Sequence, residues 1–142
     1  MTHPAVRLVE IRDTPLDVAE VLGCLDDVED GGVTVFVGKV RDHDGGKGVT
    51  ELDYSAHPTA LVRLQAVCDR VAEEHPVHGV AAVHRVGSLA IGDLAVIVAT
   101  SAAHRGQSFD ASRALIDTLK DEVPIWKHQA FTDGTDEWVG SP

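Results

Sequence analysis

The sequence predicts an α+β fold: a single domain over residues 1–142, with about three helices and a mixed, largely antiparallel sheet. Three observations lead there. Runs such as Val33-Thr34-Val35-Phe36-Val37 are β-branched and read as strands, whereas Leu61, Leu64, Val67, Cys68 and Val71 recur at helical spacing. Helical and extended segments intermix without a repeated βαβ rhythm. Several strand candidates are also joined by connections too short for a parallel crossover. A chain of 142 residues, 44% hydrophobic and 25% charged, suits one well-buried core.

The elements follow in order. Residues 6–11 read as a first strand. Thr14-Pro15 supplies an N-cap and a proline for the first helical position, opening a helix to about Leu25. Asp30-Gly31-Gly32 is a turn, residues 33–37 are a strand, and residues 41–48 form a polar, glycine-rich loop. A third strand covers residues 49–56. Pro58 starts the second helix and Pro76 ends it. Residues 79–86 form a strand, Gly87-Ser88-Leu89 turns the chain, and residues 94–100 are the most apolar strand. A third helix over residues 107–120 is expected to bury Phe109, Ser112, Leu115, Ile116 and Leu119. Pro124 stops it, residues 125–131 are the last long strand, and Asp133-Gly134 turns the chain before Trp138-Val139.

Composition excludes several classes of function. A net charge of −11 argues against sequence-independent nucleic-acid binding, which needs a basic face. Residues 1–13 lack the apolar core of a signal peptide, and the apolar run over residues 94–103 is far too short to span a bilayer. Cys24 and Cys68 both fall in predicted helices and read as small buried hydrophobes in a reducing compartment, so a cytoplasmic protein is expected. With Pro142 last, no long tail is expected to close a site.

Generic motifs mostly fail. Asp44-Gly45-Gly46-Lys47-Gly48 has neither the Ser or Thr nor the helix of a phosphate loop, and Lys47 stands where a calcium loop needs glycine. The histidines offer no metal-ligand spacing; His75 and His78, around Pro76, read as solvated. No nucleophile elbow is present.

Three cationic clusters survive. Lys120 and Lys127, two of four lysines, flank the junction between the third helix and the last long strand. A turned-back junction can bring two ammonium groups into one pocket, where each raises the cost of charging the other. The plain alternative is two solvated lysines. The second cluster is Lys39-Val40-Arg41, whose cations share a face by the two-residue period of a strand. The third is His104-Arg105 at the entrance to the third helix, where free amide N–H groups favour anions. Together they suggest a basic pocket for a small phosphorylated substrate on an acidic protein.

The chain resembles the large, catalytic subunit of molybdopterin synthase, the MoaE family. The resemblance rests on Phe36-Val37-Gly38-Lys39-Val40-Arg41-Asp42, Val49-Thr50-Glu51-Leu52-Asp53-Tyr54, the segment from Val83-His84-Arg85 to Gly92-Asp93, Ser101-Ala102-Ala103-His104-Arg105, Leu115-Ile116-Asp117-Thr118-Leu119-Lys120, Val123-Pro124-Ile125-Trp126-Lys127 and Trp138-Val139. It implies an α/β hammerhead-type fold and a homodimer that binds a small ubiquitin-like sulfur-carrier subunit at each end, as a heterotetramer. It implies conversion of cyclic pyranopterin monophosphate into molybdopterin, with two sulfurs supplied by the carrier's C-terminal thiocarboxylate. Lys120 and Lys127 would be catalytic. Lys39, Val40, Arg41, His104, Arg105, His128 and Gln129, with both lysines, would bind the substrate. No metal or other cofactor is implied.

The chain departs from the family pattern at Gln129, where a glutamate is common, and at Ser55 and His57. Gln129 cannot act as a base, which leaves a non-catalytic, carrier-binding paralogue as the alternative. A phosphate-metabolite enzyme of unrelated chemistry would not explain the ordered set of matching segments.

Overall fold

The most apolar run of the sequence lies between two other strands in the middle of the molecule. The computed structural model describes residues 2–140. Its elements are β1 (Val6–Arg12), α1 (Val18–Gly23), β2 (Gly32–Lys39), β3 (His43–Asp44), β4 (Lys47–Ala56), α2 (Ala60–Glu74), β5 (Val77–Arg85), β6 (Gly87–Leu89), β7 (Leu94–Ala102), α3 (Arg105–Glu122), β8 (Ile125–Phe131) and β9 (Asp136–Val139). Met1, Ser141 and Pro142 lie outside the described residues, and with them both ends of the expected domain and the expectation about a tail.

The first sheet runs β1-β5-β7-β2, with β1 and β5 parallel and the other pairs antiparallel. Alternate residues of β5 and β7 serve two cores. Val80, Ala82, Val96 and Val98 pack beneath α2 and α3, while Ala81, Val83, Ile97 and Ala99 pack on the opposite face with Leu16, Val21 and Leu25. A strand covered on both faces favours apolar residues at successive positions, which explains the unbroken run over residues 94–99 of β7. A second sheet runs β3-β4-β8-β9, with β6 also pairing β4. Val40, Leu52, Leu89 and Ala95 form a third, small core where the two sheets meet.

Hydroxyl groups seat α3 on the first sheet. Thr100 Oγ1 donates to the Ser108 carbonyl (2.9 Å), Ser108 Oγ donates to the Thr100 carbonyl (3.0 Å), and Thr100 Oγ1 lies 2.7 Å from Ser112 Oγ. Thr34 Oγ1, from β2, lies 2.6 Å from Ser108 Oγ. These buried polar groups satisfy one another, so they fix the helix register without an unpaired cost.

Several sequence expectations shift. α1 begins at Val18, because the Asp17 carboxylate accepts from the Ala19 N–H at 2.9 Å and caps the helix there; Thr14 and Pro15 precede it. Cys24 therefore caps α1 from outside and is partly exposed, whereas Cys68 is buried, which pushes its thiol up to about 12. Gly87–Leu89 is a strand rather than a turn, since Leu89 is drawn into the third core opposite Leu52. The polar loop contains a two-residue hairpin: Gly45 (φ 57°) and Gly46 (φ 80°) adopt the left-handed backbone such a turn requires. Leu61 and Phe109 are exposed (48% and 60%), and Ala60 and Ala111 take the inward positions where the helices lie close to their neighbours. His78 is not simply solvated; it sits in β5 with Nδ1 2.7 Å from Asp30 Oδ1.

This packing separates two residues of α3 that the sequence treats alike. Leu115→Ala, at a fully buried position, should cost about 2–5 kcal/mol. Phe109→Ala should stay within about 0.5 kcal/mol. Denaturant midpoints of the two variants check the contrast.

Candidate active site

The site grows from a two-residue link. Val123 and Pro124 alone separate α3 from β8. The Val123 N–H donates to the Leu119 carbonyl (3.0 Å), and the His57 N–H donates to the Pro124 carbonyl (3.0 Å), which ties the link to the end of β4. Lys120 stands in the last turn of α3, and Lys127 is the third residue of β8, directly opposite Tyr54 of β4 and Val139 of β9. Lys120 Nζ lies 6.0 Å from the centre of the Tyr54 ring. Both lysines line one pocket of about 280 Å3 with Tyr54, Ile125, Val139 and Gly140.

The electrostatics follow from this crowding. Lys120 keeps solvent access, yet the protein surrounding its ammonium lowers its pKa, and the charge of Lys127 lowers it further. Both effects favour the neutral amine. Behind Tyr54, the imidazole of His84 meets the phenol ring edge-on, 5.0 Å between centres. His84 is 1% exposed, and burial, aided by the charge of Lys120, pushes its pKa down to about 4. Its placement here was not anticipated: the apolar stretch of residues 79–83 in β5 runs straight into His84, and one histidine at the end of such a stretch carries no periodic signal.

On the other side of Lys127 lies a clasp. Gln129 is buried, and its amide nitrogen donates to Asp44 Oδ2 (2.7 Å) and to Glu137 Oε1 (2.9 Å). Asp44 also receives Arg41 at 3.3 Å. The Gln129 hydrogen bond, followed by the charges of Lys127 and Arg41, holds the Asp44 carboxyl below its usual range. Gln129 thus joins the β3–β4 hairpin to β8 and β9, and brings Arg41 into the neighbourhood of the lysine pair. As a neutral donor between two carboxylates, it fits where a glutamate would add a third negative group.

The remaining expected residues divide. Lys39 is exposed at the end of β2, where a register shift after Gly38 breaks the simple alternation with Arg41. The Val40 side chain belongs to the third core; its N–H donates to the Asp93 carbonyl and its carbonyl accepts from Gly92. Both backbone polar groups of Val40 are thus already engaged within the chain. His128 points to the face opposite Lys127 and Gln129, stacked on Trp138 (4.6 Å between ring centres) with Nε2 2.6 Å from Asp136 Oδ2. His104 and Arg105 are exposed at the start of α3, against Gly32 at the start of β2. Arg105 and Lys120 are fifteen residues apart on one helix, about 22 Å. The Lys39 end of β2 is about 24 Å from the Gly32 end. Within one chain, His104 and Arg105 do not join the other cations.

Comparison with known proteins finds clear relatives of the whole chain. The profile describing the MoaE protein family matches residues 11–122. Molybdopterin synthase catalytic subunit 1 of Mycobacterium tuberculosis is 45% identical over 139 residues, covering 97% of this chain and 92% of the relative. The molybdopterin synthase catalytic subunit of Bacillus subtilis is 34% identical over 92% of this chain and 83% of its own length. The crystal structure of molybdopterin synthase from Staphylococcus aureus superposes with a TM-score of 0.87 at 32% identity, covering 94% of this chain and 97% of the other. The chain belongs to the MoaE family.

Two outcomes follow. Gln129→Glu should destabilise the protein by about 1–3 kcal/mol at neutral pH, since it removes two donated hydrogen bonds and sets a carboxylate between Asp44 and Glu137. The new carboxyl should have a raised pKa, so its penalty should shrink as pH falls and the group protonates; thermal melts across pH measure this. Lys127→Gln should move the Lys120 titration upward, because a like charge is removed. NMR titration of 13Cε-labelled lysine reads that shift.

Proposed function

We propose that this chain is the catalytic subunit of a molybdopterin synthase. It converts cyclic pyranopterin monophosphate into molybdopterin, taking two sulfurs from the C-terminal thiocarboxylate of a small ubiquitin-like carrier to build the dithiolene. The observation that carries this reading is the pocket shared by Lys120 and Lys127, with Arg41 held nearby through Asp44. Sulfur transfer requires proton transfers at the pterin side chain and donors for anionic intermediates. Lys120, biased towards its neutral form, suits the proton acceptor. Lys127 suits an anion-holding donor, and Arg41 and Lys39 suit the phosphate. No step in this scheme calls for a metal or other cofactor.

The separation of His104 and Arg105 from this pocket supports a homodimer. β2 is an edge of the first sheet, with Val33, Val35 and Phe36 exposed on it (51%, 37% and 43%). Antiparallel pairing of β2 with its copy about a two-fold axis would set the Gly32 end of one chain beside the Lys39 end of the other. His104 and Arg105 of the partner subunit would then stand beside Lys39 and Arg41. With one carrier at each end the assembly is a heterotetramer. Its place is the cytoplasm, in keeping with two free cysteines; among the described residues no helix is long and apolar enough to cross a membrane. Gln129, the one feature favouring a non-catalytic paralogue, has a structural use here as a double donor, which removes its weight as a sign of lost chemistry.

A single-turnover assay with cyclic pyranopterin monophosphate and thiocarboxylated carrier tests the reading, product being followed as the fluorescent oxidised derivative. Lys120→Ala should lower the rate by about 100-fold or more with an unchanged melting temperature. Near-normal turnover by that variant, or none by the unaltered protein, would contradict the proposal.

A further inference from the structure

His84 is a fully buried titratable group beside the lysine pair to which the proposed reaction gives no part. Its Nδ1 lies 2.7 Å from the Arg85 carbonyl oxygen. A carbonyl only accepts, so Nδ1 carries the ring proton. With the ring neutral, Nε2 is then a bare lone pair, able to accept and not to donate. His84 and Lys120 also line a common cavity of about 20 Å3, with Tyr54, Leu119, Val123 and Ile125 as its other walls. That volume is on the scale of a single water, and apart from Tyr54 the other walls are apolar. Tyr54 lies between the two groups, its ring edge-on to His84 and under the Lys120 ammonium.

We infer that His84 is a positioning residue for Lys120, holding the ammonium over the Tyr54 ring by accepting at Nε2 through a water in the cavity between them. The three groups come from three elements: His84 from β5, Tyr54 from β4 and Lys120 from α3. Other charges face Lys120 as well. Lys127 of β8 shares its pocket, and Arg63 of α2 with Asp121 and Glu122 of α3 line the adjoining one. Asp117 of α3 lines a further cleft with Lys120. These charges set a background that His84 substitutions leave in place. Removing the acceptor withdraws support from the charged amine alone, so the Lys120 titration should move down. A protonated His84 acting as a donor would predict the opposite sign.

The inference rests on Lys120 as the reacting amine, but its test does not need turnover. Lysine labelled at 13Cε gives four signals, from Lys39, Lys47, Lys120 and Lys127, assignable by Lys→Arg variants. In His84→Phe, which keeps ring shape and removes the acceptor, the Lys120 midpoint should fall by about one pH unit. Lys39 and Lys47 should not move. His84→Gln, whose side-chain oxygen restores an acceptor, should recover most of the shift. If His84→Phe does not fold, His84→Leu carries the same readout. An unchanged or raised Lys120 midpoint in the acceptor-free variant would overturn the inference. In the sulfur-transfer assay, His84→Phe should lower kcat about tenfold with KM unchanged. If the unaltered protein makes no product, the proposed function fails while the titration still decides the role of His84.

Discussion

Everything in the candidate site depends on the shortness of the connection between α3 and β8. Two residues leave the chain no room to wander, so the last turn of the helix and the first turns of the strand must face the same space. Val123 is buried and bonded back to Leu119, and the Pro124 carbonyl is taken by the His57 N–H. A junction tied at both ends to the core converts a seven-residue separation in sequence into a shared pocket. The hydroxyl contacts of Thr34, Thr100, Ser108 and Ser112 fix the other part of the geometry, by setting where α3 lies on the sheet.

Opposing effects act on Lys120. It stands at a helix C-terminus, where the backbone dipole favours a cation by about 0.3–1 kcal/mol at exposed sites. Burial of the ammonium and the charge of Lys127 act the other way, and the net direction is downward. Lys127 has a different neighbourhood, since the ionised Asp44 lies within reach of its field and is kept ionised by the Gln129 hydrogen bond. Two chemically identical side chains are thereby given unlike surroundings, a buried aromatic and imidazole wall for one and a carboxylate for the other. A protein of net charge −11 can build a basic pocket in this way, by placing few cations close together and supplying selected carboxylates as counter-ions.

Most of the framework was legible from the sequence because it rests on local patterns. The strand over residues 125–131 coincides with β8, and Lys120 and Lys127 fall on either side of a real helix-to-strand junction. What escaped depended on distant partners. Phe109 and Leu61 fit a helical period, but which side of the stripe turns inward depends on how closely α2 and α3 approach their neighbours. Gly87–Leu89 carries turn residues, yet Leu89 is captured by a core that forms only when the two sheets meet. Gln129 looks like a missing glutamate until Asp44, 85 positions away, and Glu137 are seen on its amide. His84 and Tyr54 each fall in a segment that carries the resemblance, but their contact is made by sheet packing across thirty residues of sequence, which no local pattern shows.

The three cationic clusters read from the sequence as one pocket, and here the single chain gives a partial answer. Lys120 and Lys127 share a pocket, with Arg41 linked to it through Asp44; His104 and Arg105 remain at the far end of both β2 and α3. In the proposed dimer, the exposed apolar edge of β2 is where a second copy would reconcile the two ends. Subunit complementation tests this directly. Lys120→Ala and Arg105→Ala proteins, each impaired alone, would be unfolded together, refolded as a mixture and assayed for sulfur transfer. A site shared between copies predicts recovered activity, because mixed dimers contain one pocket with both residues intact, roughly a quarter of all pockets for random pairing. A mixture no more active than its components would contradict the account.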